Sequence, residues 1–238
     1  MAVELDMIAE MEAEIERASQ KSNTGNVFFF KIEDGQKALV RFLLDLKQAA
    51  KIKKHDYYNQ TTGKYEVSAL CAESAELSVE QCLHCKNAAN NKKLTATTFF
   101  LIPAYVYGIK DAQNKPVVWK DQEGKEQPIQ GIRYFQLKPT SPLLIALLAN
   151  YREGGPLPDR DMLISRTDPN GNKLKATYTI IARAPSRFTA PADVEIPEQS
   201  ADLMIQFMLE KNPPQLIGDE FSTPPVQTAG KVSTVPDF

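Results

Sequence analysis

Soft metal ligands are scarce in this 238-residue chain, which has three cysteines and two histidines in all. Three cysteines cannot pair off into disulfides, and nothing at the N-terminus has the pattern of a signal peptide. Oxidative stapling is therefore disfavoured as their use, and a cytoplasmic compartment is expected. No apolar run is long enough to cross a bilayer, so no membrane partner is expected. Charge of one sign is lacking too: 28 Lys and Arg against 30 Asp and Glu leave a net charge of −2. No internal repeat points to a solenoid or propeller. What remains is an ordinary globular composition, 42% hydrophobic and 24% charged, with a length prior of one or two domains.

The few soft ligands are all in one place. His55, Cys71, Cys82, His84 and Cys85 account for every cysteine and histidine in the chain. Thiolate and imidazole are the groups zinc prefers, and four of them close a tetrahedral shell that crosslinks a loop too polar to hold itself. Cys82-Leu83-His84-Cys85 reads as a zinc knuckle with Cys71 and His55 as distal partners. The blander reading is three buried free thiols and two surface histidines. A histidine between two knuckle cysteines has its backbone committed to wrapping the metal, so His55 is favoured over His84 as fourth ligand. His84 is then expected at the surface, as a phosphate or base contact or with no role. Three thiolates and one imidazole leave no position for an activated water, so the expected metal is one structural Zn2+.

Charge is unevenly spread. Residues 1–22 carry six acids against Arg17 and Lys21, while residues 37–93 carry ten bases against six acids. The metal region thus lies in the basic part of the chain, which suits an anionic partner such as a phosphate backbone, although a charge run is more often only a solvated face.

Met7, Met11, Ile15 and Ala18 recur at helical spacing with acids between them, so an acidic amphipathic helix and linker are expected over 1–26. From residue 27 the texture turns to strand: 27–32 and 37–44 flank Glu33-Asp34-Gly35-Gln36, which predicts a hairpin. Further strands are expected at 52–58, 64–70, 97–109, 117–120 and 132–137, and a second hairpin at 162–166 and 174–183 around Asp168-Pro169-Asn170-Gly171. Ser141-Pro142 opens a short helix that Gly154-Gly155 closes. A last helix over 201–211 is capped by Ser200 and ended by Pro213-Pro214. Many short strands with few helices predict a mainly β fold, an OB-type Greek-key barrel over 27–212 with a zinc subdomain inserted at about 50–93. Residues 213–238, rich in Pro, Thr, Ser and Gln, read as a flexible tail.

Three stretches resemble the zinc-containing single-stranded DNA-binding proteins of T-even-type bacteriophages. Gly35-Gln-Lys-Ala-Leu-Val-Arg-Phe-Leu43 is similar to that family's early barrel strand; His55 followed by Gly63-Lys64-Tyr65 and Cys71 is similar to its metal subdomain; Cys82 and Cys85 supply the closing pair. A Lys110-Asp111 turn and the strand ending Ala182-Arg183-Ala-Pro-Ser-Arg-Phe188 add to a likeness that covers roughly 27–190. The resemblance implies sequence-independent binding of single-stranded DNA in replication, recombination and repair, in the host cytoplasm for a phage-encoded chain. Two departures stand beside it. The family's N-terminal arm is basic and mediates cooperative self-association, whereas this N-terminus is acidic. Its tail is strongly acidic, whereas residues 212–238 hold only Asp219, Glu220 and Asp237 against Lys231. Two readings of this tail stand side by side: recruitment of replication and recombination proteins through Phe238 and its acidic neighbour, or an inert extension.

Binding single strands needs bases along the phosphates and aromatic faces for stacking, and the chain interleaves the two. Lys51, Lys53 and Lys54 abut Tyr57 and Tyr58; Lys64 abuts Tyr65; Lys92 and Lys93 lead to Phe99; Arg133 adjoins Tyr134. These residues and Arg183 are the expected DNA contacts, with about half of the rings in the groove and the rest in the core. The phenylalanines at 28–30 and Phe42 are assigned to the core. An enzyme of the zinc deaminase type is disfavoured, because His55 is followed by Asp56-Tyr57 and Cys82 is preceded by Gln81, matching neither half of that signature. A zinc-stabilised protein-interaction or RNA-binding module is the remaining rival.

Overall fold

The computed structural model describes residues 30–59, 61–62, 64–120, 126–189 and 199–218. The expected helix within 1–26, the strand start at 27–29 and the tail beyond 218 lie outside the described residues. In chain order the strands are β1 (Lys37–Phe42), β2 (Ala50–Asn59), β3 (Lys64–Leu70), β4 (Thr97–Lys110), β5 (Val118–Lys120), β6 (Glu126–Pro128), β7 (Gly131–Leu137), β8 (Asp161–Thr167) and β9 (Thr177–Ala182). The helices are α1 (Leu83–Ala88), α2 (Pro142–Gly154) and α3 (Ala201–Lys211). The described chain is mainly β, an open antiparallel sheet with few helices, divided into two units.

The first unit takes its described residues from 30–51, 98–188 and 199–204. Its strands run in the order β7-β4-β1-β8-β9, every pairing antiparallel. β4 is buried without interruption from Phe99 to Val106, as a central strand covered on both faces must be. β8 alternates instead, with Met162, Ile164 and Arg166 inward. α2 adds Leu143, Leu144, Leu147 and Leu148 to the core and packs on β9, while Ile145 on its other face is exposed. Ser141 stands at the N-cap position, where its carbonyl accepts from Ile145 N at 3.1 Å but its side chain makes no capping bond, and Gly155, at φ 83°, ends the helix.

The hairpin expected between 27–32 and β1 is not the pairing that forms. β1 lies between β4 and β8, and residues 30–32 are not strand. Phe30 instead stacks on Phe135 at 4.2 Å, and its amide donates to the Tyr134 carbonyl at 3.0 Å. The turn chemistry itself is real, with Gly35 at φ 73° and Gln36 N donating to the Glu33 carbonyl at 3.1 Å. Alternation marks a strand without naming its neighbour. β8 and β9, by contrast, pair across the expected second turn.

Two arginines are buried in this unit because acceptors meet each guanidinium. Arg41 donates to Asp161 Oδ1 at 2.7 Å, the Pro158 carbonyl at 3.1 Å, the Ser186 carbonyl at 2.9 Å and Ser186 Oγ at 2.7 Å. Arg166 grips Asp168 through two bonds of 2.7 and 2.9 Å and donates to the Ile32 carbonyl at 2.9 Å, tying the first described residues to β8.

The second unit takes its described residues from 52–97, 189 and 205–218. The β2–β3 hairpin is its frame, with His55 opposite Ala69 and a register shift between Tyr57 and Tyr58. Short 3-10 turns, Ala72–Ala75 and Val79–Gln81, lead to α1. Residues 205–211 of helix α3 belong to this unit and bury Met208; the helix's start, where Ser200 Oγ accepts from Leu203 N at 3.2 Å, belongs to the first.

Candidate metal centre

The centre is built on the hairpin. His55 lies in β2 and is 0% exposed. Its Nδ1 is 2.6 Å from the Leu94 carbonyl, which can only accept, so the proton is on Nδ1 and the Nε2 lone pair is free to bind a metal. Burial, opposed in part by that carbonyl, lowers the pKa of His55 and keeps the imidazole neutral, the form a ligand needs. Cys71 follows β3 directly, and its amide donates to the Lys53 carbonyl at 2.9 Å, which locks the strand end against β2. Ser78 and Gln81 form a reciprocal capping box on the turn before Cys82. Cys82 then occupies the N-cap of α1, and Cys85 follows three residues later on the neighbouring turn position.

One ligand atom from each of His55, Cys71, Cys82 and Cys85 lies within 4.8 Å of all the others. His55 Nε2 is 3.4 Å from Cys82 Sγ and 3.5 Å from Cys85 Sγ, and the Cys71 and Cys85 sulfurs are 3.4 Å apart. A tetrahedral zinc with its usual bond lengths requires ligand separations of roughly 3.6 Å for S to N and roughly 3.8 Å for S to S. The cluster therefore fits such an ion with shifts of a few tenths of an ångström at these three contacts. Among the described residues this is the group of four that can hold a metal.

Without a cation, burial raises the Cys71 thiol, and burial together with the neighbouring thiols raises Cys85 strongly. Burial pushes Cys82 up too, but backbone hydrogen bonds from Ala72, Cys85 and His84 outweigh it and lower the thiol overall. Three crowded sulfurs cannot all ionise unaided; a bound divalent cation removes that cost and displaces the protons.

His84 is not at the surface. It is 6% exposed, and its ring centroid is 5.4 Å from that of His55. Burial and the nearby His55 lower its pKa, opposed in part by the Gln215 side chain. The reason is a segment that the knuckle alone does not reveal: the Gln215 carbonyl accepts from the adjacent Leu83 amide at 2.9 Å, and the chain there covers α1.

The expected DNA contacts fall in different surroundings. In the second unit, Tyr58 is 44% exposed and meets Tyr65 edge-on at 5.1 Å, while Lys93 Nζ lies 5.4 Å from the centre of the Tyr57 ring. Lys92 and Lys93 are exposed and Tyr65 is partly buried, as is Lys51 of the first unit. Lys53 is held by both carboxylate oxygens of Glu73, at 2.7 and 2.8 Å, and Lys54 is 8% exposed with Asp56 at 2.9 Å. The side chain of Lys64 lies outside the described residues. In the first unit, Phe99 is 4% exposed and offers no open face to a base; Lys138 Nζ lies 5.4 Å from its ring centre. Arg133 and Tyr134 are partly buried on β7, with Arg133 Nη1 donating to the Ile132 carbonyl at 2.8 Å. Arg183 is exposed. The buried Arg41 network and Lys138 had no signal in the sequence, since each depends on partners far along the chain.

No protein-family model matches the chain, and no curated protein matches it either.

Proposed function

We propose that the chain binds single-stranded DNA without sequence preference, through a basic, aromatic surface on a unit held together by one structural zinc. The observation that carries this reading is the Tyr57, Tyr58, Tyr65 and Lys93 constellation beside the His55, Cys71, Cys82 and Cys85 cluster. It combines an exposed ring, an edge-on partner and a lysine over a third ring. A π-face and a nearby cation are what a stacked base and its phosphate require, and each stack is worth about 1–3 kcal/mol. The register shift opposite Tyr57 and Tyr58 leaves Glu66 of β3 without a facing partner, and an irregularity of this kind next to a binding surface serves to re-aim the neighbouring side chains. The resemblance of 27–190 to phage single-strand binders supports the same reading and adds an OB-type barrel, a role in replication, recombination and repair, and a cytoplasmic setting. Zinc suits the donor set of three thiols and an imidazole, and a filled four-ligand shell leaves no open position for catalysis, so the activity is binding. A tail that recruits replication or recombination proteins completes the proposal.

One observation favours a protein-interaction module instead. Lys53 and Lys54, both expected on the phosphates, are neutralised by Glu73 and Asp56. Fluorescence titration with oligo-dT, oligo-rU and duplex DNA at two salt concentrations separates the readings. The proposal expects tight, salt-sensitive binding to oligo-dT over duplex, weakened about 5- to 150-fold by Tyr58→Ala. No preference for single strands over duplex would sink it.

A further inference from the structure

The chain beyond α3 reads in sequence as the start of a tail, yet residues 212–217 lie along the metal centre. The Asn212 carbonyl accepts from Leu70 N at 3.0 Å, the Gln215 carbonyl accepts from Leu83 N at 2.9 Å, and Ile217 N donates to the Gln81 carbonyl at 2.9 Å. The last two bonds bracket Cys82 and Leu216, which face each other as an antiparallel bridge. Facing residues flanked in this way form the non-hydrogen-bonded pair, whose side chains approach most closely. Leu216 accordingly packs on the cluster of Cys71, Ala72 and Cys82.

These contacts reach both pieces of chain that deliver thiols. Leu70 immediately precedes Cys71, and Gln81 and Leu83 flank Cys82. A metal bound to Cys71, Cys82 and Cys85 sets the spacing between the end of β3 and the knuckle, and residues 212–217 bridge the same gap from outside. Cys82 is 0% exposed with Leu216 packed on its cluster, and control of solvent access is a role that the shell around a metal site commonly has.

We infer that residues 212–217 are a working part of the metal centre, so that metal occupancy and the docking of this segment stabilise each other. The inference rests on the reading of the cluster as a metal site. Such coupling is reciprocal: a metal that holds the segment down is itself released faster when the segment is loosened.

The test uses the full chain. Metal content of the wild type, purified without chelator, is measured first; a chain that holds no zinc overturns the metal reading and this inference with it. With zinc present, its transfer to a chromophoric chelator is timed for Ile217→Pro, which removes the amide donor, and for Leu216→Ala, which removes the cover. Ile217→Ala serves as the control, because that side chain is 42% exposed and its amide is retained. The expected result is release about 10-fold faster or more in the first two variants and unchanged in the control. Amide exchange supplies the reciprocal readout, with protection at Leu83 and Ile217 falling when the wild type is stripped. A wild type that carries zinc, with release unaltered by Ile217→Pro and Leu216→Ala, or with protection at Leu83 and Ile217 unaltered by stripping, overturns the inference alone.

Discussion

Replacing Cys82 and Cys85 together by serine should unfold the second unit and leave the first intact. The large apolar side chains buried in the described second unit are Ile52, Leu70, Leu94 and Met208, none more than 9% exposed. Full burial of a side chain of this kind contributes about 1.5–3 kcal/mol, so four supply about 6–12 kcal/mol. A structural zinc of this ligand type contributes about 10–16 kcal/mol, as much as those apolar contacts or more, so its loss removes a large part of what orders the loop. The first unit has no such dependence, since its core runs through Phe42, Phe100, Ile102, Phe135, Leu144 and Ile164. Hydrogen exchange with parallel metal analysis reads the outcome. In the double variant, or in wild type stripped by a chelator, the Cys71 and Leu83 amides should exchange like those of an unfolded chain while amides of β1, β4 and β8 keep their protection. Native protection at Cys71 and Leu83 in a chain shown to be free of metal would refute the reasoning.

Three further outcomes are expected. Lys92→Ala with Lys93→Ala should flatten the log-log salt dependence of DNA binding by about 0.7 for each phosphate no longer neutralised, and Lys53→Ala should change it less because Glu73 already neutralises that lysine; equal effects would contradict the assignment. Asp168→Ala should lower the stability of the first unit by about 3–5 kcal/mol in denaturant melts, because it leaves Arg166 buried without its partner, and a loss under about 1 kcal/mol would show that the pair does not anchor this unit. Burial and the hydrogen bond to Asp161 push the Tyr107 hydroxyl up to about 12. The folded state holds that proton more tightly than the unfolded one. Its contribution to stability is therefore fully present below about pH 10 and lost as pH rises through about 12. An ultraviolet titration should show a tyrosine step there that Tyr107→Phe removes, and identical alkaline curves would disprove it.

Much of the metal centre was legible in the chain itself. Every cysteine and histidine lies between His55 and Cys85, and side-chain chemistry follows from composition and spacing without any fold. The strands were legible for a related reason: β-branched and aromatic alternation is local, and so are the turn at Gly35 and the serine cap at 200. The partner of each strand was not, because pairing is settled by segments far apart in sequence, as when β1 takes β4 and β8 in place of its neighbour. The same limit applies to charge and burial. Lys53 is neutralised by a glutamate twenty residues away, Arg41 is buried by an aspartate 120 residues away, and Phe99 is enclosed. A residue's type sets which interactions it can make; only the tertiary structure brought residues 212–217 onto Cys82 and buried His84, because those positions depend on chain segments meeting across more than a hundred residues.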